Sequence, residues 1–473
     1  MNRIFARSPG SPHRPFSRII SHSLPWATAL AVWLVPHRPE STAYGFGVKG
    51  QFRLGGYSSQ VKLDEDPQGL GHNDSSVISS RLHLDLIRLN RSGDEVTIDI
   101  RDDYDFFGKS DRELLELQAE NQLEIREAAY RNPWEYNRLY YTVGRFTLPE
   151  ANIYTNDGAE VGYRLTRASR VGGFLGVANE DIVSPDTVTP DYRGFNGNQG
   201  GIYYIYENKG SRFRDSTYMT NAIAQSPTFE LNDFRNKVYF YHMSLFYLGS
   251  SHRFSNHVNF DIQPESHLRQ AYLSYQYQSM RYRFNTYFNR LSAEDYRLQQ
   301  DIQDSLAPSV VDTLSADFIQ RLDPALSLEY KARLSQRSTD SLKRLLLLVG
   351  SRYRGLSRGR MSVGGFVGSR QNYLSDDLLI DLQFDYFQQN YSVHIDQEIS
   401  TRDYRDRDVS LTETKTYGEL AFYFSDSFRG SAAYSLAQNE QATVNTLYVM
   451  MGYYFGRGTT SPLRRIAPAF EGL

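Results

Sequence analysis

Cysteine is absent from the 473 residues, so no disulfide, thiolate nucleophile or cysteine-ligated metal or haem site exists. Long apolar runs are absent too. Beyond residue 43 nothing approaches the roughly 20 apolar residues that a membrane-spanning helix needs. That excludes a helical membrane protein. It leaves open a β-barrel, whose strands need only every second residue apolar. Excess charge is missing as well. The net charge is −3, and residues 1–43 contribute +4 of it through Arg3, Arg7, Arg14, Arg18 and Arg38 against Glu40, which leaves about −7 for the remainder. That balance argues against nucleic acid as a partner.

The motifs of common catalysts are missing in turn. There is no G-x-S-x-G, H-E-x-x-H, Walker loop or dinucleotide fingerprint. The ten histidines are scattered without metal-ligand spacing. Acidic neighbours such as Asp102-Asp103 and Asp376-Asp377 point to opposite faces of a strand and cannot converge on one substrate. The acidic stretch Asp111 to Glu127 lacks the spacing of an EF-hand and reads as a solvated loop. No enzymatic activity, cofactor or metal is expected.

What is present is tyrosine and phenylalanine, 35 and 27 of them, set in alternating runs. His267 to Arg290 shows the unit best. Ala271, Leu273, Tyr275 and Tyr277 oppose Gln270, Ser274 and Gln276. After a joint at Gln278-Ser279, Met280, Tyr282, Phe284 and Phe288 oppose Arg281, Arg283, Asn285 and Asn289. Alternate side chains leave a strand on opposite faces, so each run has one apolar and one polar face. A joint this short makes the two runs antiparallel neighbours. Alone, the hairpin fits half of a soluble sandwich equally well.

The rest of the chain decides. Residues 1–43 read as an export signal: a basic start, the apolar stretch Leu24 to Val35, and Ser41-Thr42-Ala43 at the cleavage spacing. The alternative is an uncleaved anchor helix. From residue 44 to 455 alternating runs continue with no composition shift, and residues 456–473 form a tail. About 22 strands are expected, within a range of 16–22. The joints near Asn90, Asn132, Ala168, Asn208, Gly249, Ser279, Asp323, Gly355, Gln389 and Asp426 are tight. Most of those between them are long and polar, among them Gly56 to Ser76, Thr147 to Asp157 and Leu291 to Asp312. Short turns on one side and long loops on the other mark outer-membrane barrels. The fold class is therefore all-β: a closed, antiparallel, transmembrane β-barrel.

The pattern resembles the porin-like barrels of the bacterial outer membrane. The last run, with Asn445, Leu447, Val449, Met451, Tyr453 and Phe455 on one face, is similar to the aromatic-ended strand read by the barrel-assembly machinery. This chain departs from it by continuing into the tail. Val143–Phe146 (VGRF), followed by Asp157-Gly158, resembles a hairpin recurring in that class. The resemblance implies outer-membrane lipid and the assembly machinery as partners, and leaves open a porin-like trimer or a monomer.

A barrel this wide encloses a lumen that side chains alone do not fill. Because the first run starts within a few residues of the cleavage spacing, loops rather than a plug domain are expected to narrow it. Inward faces are expected to carry mixed charge, which sets selectivity. The candidates are Asp99, Arg101, Arg281, Arg283, Glu329, Lys331, Arg333, Asp381 and Asp385, with Arg281, Arg283 and Arg333 as a basic cluster. Arg145 conflicts with this scheme, because it shares the face of Val143 and Leu139 that meets lipid. Either a bulge shifts the register or Arg145 sits above the apolar band. The expected function is a passive channel for small polar solutes. The alternatives are a specific exporter or importer of a polyanionic polymer, or a closed surface barrel with adhesive loops.

Overall fold

The computed structural model describes residues 47–63, 72–105, 121–183, 192–208, 215–230, 233–263, 266–292, 310–338, 343–372, 375–404, 410–425 and 427–456. Residues 1–43, read above as an export signal, and nearly all of the tail lie outside the described residues. Twenty-two strands follow in chain order: β1 Gly47–Leu63, β2 His72–Ile87, β3 Glu95–Asp105, β4 Asn121–Asn132, β5 Leu139–Leu148, β6 Ile153–Arg164, β7 Ser169–Val183, β8 Tyr192–Asn208, β9 Thr217–Glu230, β10 Asp233–Leu248 and β11 His252–Gln263. Then come β12 His267–Gln278, β13 Tyr282–Ser292, β14 Val310–Arg321, β15 Leu326–Arg337, β16 Lys343–Leu356, β17 Met361–Gln371, β18 Ser375–Phe387, β19 Tyr391–Tyr404, β20 Ser410–Tyr423, β21 Phe428–Gln438 and β22 Ala442–Phe455.

Each strand pairs antiparallel with the next, and β22 returns to β1 with Met451 opposite Leu54 and Tyr448 opposite Tyr57. The sheet is closed and has no edge. Hydrocarbon cannot hydrogen-bond a free amide or carbonyl, so closure is the condition for strands to cross a bilayer. The side chains agree. Leu175, Ile202, Val367, Leu378 and Leu382 are exposed on the outer face, where lipid covers them. Aromatic rings gather toward the short-turn rim: Phe254 lies 4.7 Å from Tyr275, Tyr282 6.0 Å from Phe318, and Phe424 5.2 Å from Phe428. Such a girdle marks the level of the headgroups. The chain is thus an outer-membrane β-barrel.

The rim parity expected from the joints holds only in part, because β3–β4 and β13–β14 alone exceed the longest connection of the turn rim. Every connection from an even to the next odd strand takes three to eight residues, whereas the other rim ranges from two to seventeen. The long joints are nonetheless shorter than expected. Gly56 to Ser76 is mostly paired strand, with Ser58 opposite Ser76 and Gln60 opposite Asp74. Above the apolar band both faces of a hairpin are polar, so the alternation vanishes while the backbone ladder continues.

One turn also shifts. The connection after β12 is Ser279 to Arg281, closed by hydrogen bonds between Ser279 and Tyr282. Met280 and Arg281 therefore sit in the turn and not on the faces of β13. The turn before β3 is fixed by Asp94, which is buried and accepts hydrogen bonds from Asn90, Asn132 and Tyr130. Burial pushes its carboxyl up, but those donors outweigh burial and hold it below the ordinary carboxylate range.

Candidate functional site

The hairpin of β5 and β6 carries the V-G-R-F and D-G residues, and its geometry shows what they are for. Gly144 lies directly opposite Gly158, and Arg145 opposite Asp157. Gly144 adopts φ +118°, which L side chains rarely adopt. A Cβ there would stand 2.2 Å from the carbonyl oxygen of Ala128. Arg145 keeps its outward parity, with Leu139 and Val143 exposed on the same face. It is neutralised by Asp157, to which Nε donates at 2.6 Å, and Nη1 donates to the carbonyl of Ile125 at 2.9 Å. No change of face is needed. The pair stands near the loop end of the strand, where charge costs least.

Beyond Arg145 the chain turns inward. Phe146 and Leu148 are buried. Pro149–Ala151 makes a single 3-10 turn, which ends at Asn152 with φ 56° in the left-handed region. The chain then returns through Ile153. Proline suits the first position of such a turn, and asparagine tolerates the left-handed end.

Side chains from four separated positions hold this connection. Thr220 Oγ1 donates to the Glu150 carbonyl at 2.8 Å, and the Tyr239 hydroxyl to the Ala151 carbonyl at 2.9 Å. Gln199 Nε2 donates to the Thr155 carbonyl at 2.6 Å and to Asn156 Oδ1 at 2.9 Å. Arg170 pairs with Glu150 at 3.1 Å, and its guanidinium stacks 4.2 Å from the Trp134 ring. Beneath them Phe146, Ala151, Phe174, Ile205, Ala222 and Tyr239 form one buried apolar cluster. Full burial of a side chain the size of Phe146 contributes about 2–3 kcal/mol.

The neighbouring wall is closed by rings laid on glycines. A Cβ at Gly162 would come within 2.0 Å of the Tyr140 ring, and one at Gly172 within 2.4 Å of the Tyr203 ring. The two hydroxyls meet at 3.0 Å, and Tyr203 also donates to Glu160. Over β5–β10 the inside of the barrel is therefore a small packed core, not a water-lined wall.

The inner face of β15–β20 is of the other kind. Arg352 bridges Glu329 and Asp385, each at 3.2 Å; Asp385 also meets His394 at 2.7 Å and accepts from Ser362 at 2.6 Å. Nearer the loop rim, Asp377 is held by Arg370 at 2.9 Å and Arg402 at 3.4 Å, and Glu413 by Arg402 and Lys415, each at 3.4 Å. Asp381 accepts from Gln383 at 3.0 Å. On β1–β3, Arg81 pairs with Asp99, while His83 lies 3.4 Å from Asp99 and 3.2 Å from Asp85. On β10–β12 the fully buried Asp261 is met by Lys237, His267 and Arg269, each at 3.3 Å.

The expected lumen residues divide. Asp99, Arg101, Glu329, Lys331, Arg333, Asp381 and Asp385 have inward parity in the register. Glu329, Asp381 and Asp385 stand in one network, and Lys331 lies 5.2 Å above the Phe366 ring. The basic cluster is not formed. Arg281 is in a turn. Arg283 lies opposite Ile319, which lies opposite Glu329. Arg333 is four residues farther up β15, about 13 Å along the strand. In antiparallel strands the height of a residue follows its distance from the turn, so nearness of strands alone does not bring side chains to one level. Glu150, Arg170, Trp134, Thr220 and Tyr239 were not foreseen. The apolar residues Phe146, Leu148 and Ile153, which bracket Thr147 to Asp157, were the available sign that this loop is buried. Among the described residues no group of three acidic or histidine side chains is arranged to hold a metal ion.

No protein-family model and no curated protein matches the sequence. Among solved structures the chain is similar to OccAB3 of Acinetobacter baumannii, at 11% identity over 86% of this chain and 99% of that one, with a TM-score of 0.42. It is similar to OpdQ of Pseudomonas aeruginosa at 8% identity over 87% and 98%, with a TM-score of 0.43. A BenF-like porin from Pseudomonas fluorescens Pf-5 is similar at 10% identity over 86% and 99%, with a TM-score of 0.40.

Proposed function

We propose that the barrel is an outer-membrane channel for passive diffusion of small polar solutes, with its path off centre. The observation that carries this reading is the inward-turned β5–β6 connection. It fills one side of the interior with apolar side chains, so the remaining passage runs along the charged inner face of β15–β20 and β1–β3. A solute there passes guanidinium groups left partly exposed over carboxylates that are mostly buried beneath them, and is sorted by size and charge, not bound. Outer-membrane lipid and the barrel-assembly machinery are the partners this reading implies. A ladder for a polyanionic polymer is not favoured, since Arg281, Arg283 and Arg333 stand at different levels.

Refolded protein in planar bilayers tests the proposal. Stepwise, ohmic conductance in KCl that polyanions do not saturably block is the expected result. A correctly folded barrel that conducts no ions would favour a closed surface barrel instead.

A further inference from the structure

The rim formed by the connections from even to odd strands differs in charge from the opposite one. By sequence its ten connections hold ten Lys or Arg against five Asp or Glu, whereas the eleven of the loop rim hold five against nineteen. Arg88, Arg138, Arg167, Arg281, Arg321 and Arg358 stand in or beside six connections of the basic rim, and all are exposed. Arginines on the barrel wall, such as Arg81, Arg352 and Arg370, pair with carboxylates. These six do not. Arg88 lies 6.0 Å from the Tyr136 ring, Arg321 donates to the Met280 carbonyl at 3.4 Å, and none is in an ion pair among the described residues. Of the exposed carboxylates in the described part of these connections, Asp215 and Asp323 accept from the backbone amides of Gly249 and Ala325, which leaves Glu135.

Each of the six has a large, exposed apolar side chain within two residues of it: Leu89, Leu139, Leu165, Met280, Leu322 and Leu356. The rings Tyr282, Phe318 and Phe424, which mark the headgroup level, stand at the same rim. Exposed leucine is unfavourable in water, and a ring of cations for a soluble anion would not need it. A bilayer surface suits both kinds of side chain, because the apolar one enters the acyl layer while the guanidinium stays among the phosphates. Arg88 and Arg358 also hold φ 57° and 59°. Glycine or asparagine adopts that conformation more readily, so the turn itself does not account for arginine at those positions.

We propose that this rim binds phospholipids with anionic headgroups, the six arginines meeting the headgroup phosphates and the neighbouring apolar side chains meeting the acyl chains. A guanidinium presents a fork of donors to phosphate oxygens. Near a membrane surface each arginine so engaged tightens binding about fivefold. A net negative headgroup is preferred, because a zwitterionic one brings its own cation to the phosphate. The proposal is independent of conduction and holds equally for a barrel that passes no ions.

Native mass spectrometry of the folded barrel, released from detergent micelles that carry phosphatidylglycerol or phosphatidylcholine of the same acyl chains, tests it. The expected result is an excess of retained phosphatidylglycerol. The combined variant Arg88→Gln, Arg138→Gln, Arg167→Gln, Arg281→Gln, Arg321→Gln and Arg358→Gln should lose that excess. Arg283→Gln with Arg333→Gln, which removes two inward cations, should keep it. Glycerol 3-phosphate, the headgroup chemistry without acyl chains, should leave no retained adduct. Folding is checked by heat-modifiable migration. Should the six-site variant not fold, Arg281→Gln with Arg321→Gln, on adjacent turns, should weaken phosphatidylglycerol binding by more than about fivefold. Equal retention of the two lipids would overturn the proposal, as would an excess that survives in the folded arginine variants or disappears with the two inward cations. Glycerol 3-phosphate held as tightly as the lipid would overturn it too, by assigning the rim to a soluble anion.

Discussion

Arg170→Ala is expected to raise the single-channel conductance and to lower the unfolding free energy of the barrel by about 2–3 kcal/mol. Arg170 is the only described cation in an ion pair with Glu150, and it also caps the Trp134 ring. Removing one partner of a fully buried pair costs about 3–5 kcal/mol. Here the Glu150 side chain retains 23% exposure, so water offsets part of that loss. The change lands on the connection and not on the sheet, because Arg170 lies within the β6–β7 ladder and makes its backbone bonds regardless of its side chain. Thr220, Tyr239 and Gln199 still hold three carbonyls, so the connection loosens more than it leaves. Glu150→Gln keeps a hydrogen-bond acceptor for Arg170 and should show a smaller change in both quantities. Conductance histograms and urea unfolding in the same lipid read the two effects separately. Reduced stability with unchanged conductance would mean that the connection does not border the conducting path.

The second large effect is expected at Gly144. Gly144→Ala forces an L residue to φ +118° and places a Cβ 2.2 Å from a backbone carbonyl oxygen of β4. The backbone strain costs about 1–3 kcal/mol. The collision adds roughly 1–3 kcal/mol more, because a strand, unlike a side chain, cannot step aside. A loss on the order of 3–5 kcal/mol follows, seen as a failure to refold or a lowered urea midpoint. Gly418→Ala is the control, since a Cβ there meets nothing within 4 Å; a strand glycine in open space should gain slightly on becoming alanine. Equal refolding of the two variants would remove the reason given for glycine in the V-G-R-F stretch.

Much of the fold was legible because a barrel repeats one physical rule. Period-two alternation marked the strands, and the alternation of tight and long joints assigned the rims. The strands survive in the structure, down to the outward row Leu447, Val449, Met451 and Tyr453 on the closing strand; the contrast in joint length survives only at β3–β4 and β13–β14, because most hairpins of the loop rim stay paired nearly to their tips. What was not legible depends on register. The inward parity of Arg283 and Arg333 follows from each strand by itself. Their separation in height follows from turn positions, such as the shift that puts Arg281 in a turn. The inward-turned connection was hidden for another reason. A loop lacks periodicity, and the signs of its burial are three apolar residues around a proline whose partners, Arg170, Thr220 and Tyr239, lie as many as 88 residues away. Arg145 seemed to break the pattern because its partner Asp157 sits on the next strand, and single-strand parity cannot show a cross-strand pair.

The central claim is that ions pass along the charged face and not through the packed side. Two cysteine variants in this cysteine-free chain test it directly: Arg333→Cys, inward and exposed on β15, and Ala222→Cys, buried in the cluster under the β5–β6 connection. An anionic methanethiosulfonate reagent is added to single open channels of each. Stepwise change in the conductance of Arg333→Cys, with Ala222→Cys unaffected, is the predicted result. Block of Ala222→Cys with no response from Arg333→Cys would contradict the account.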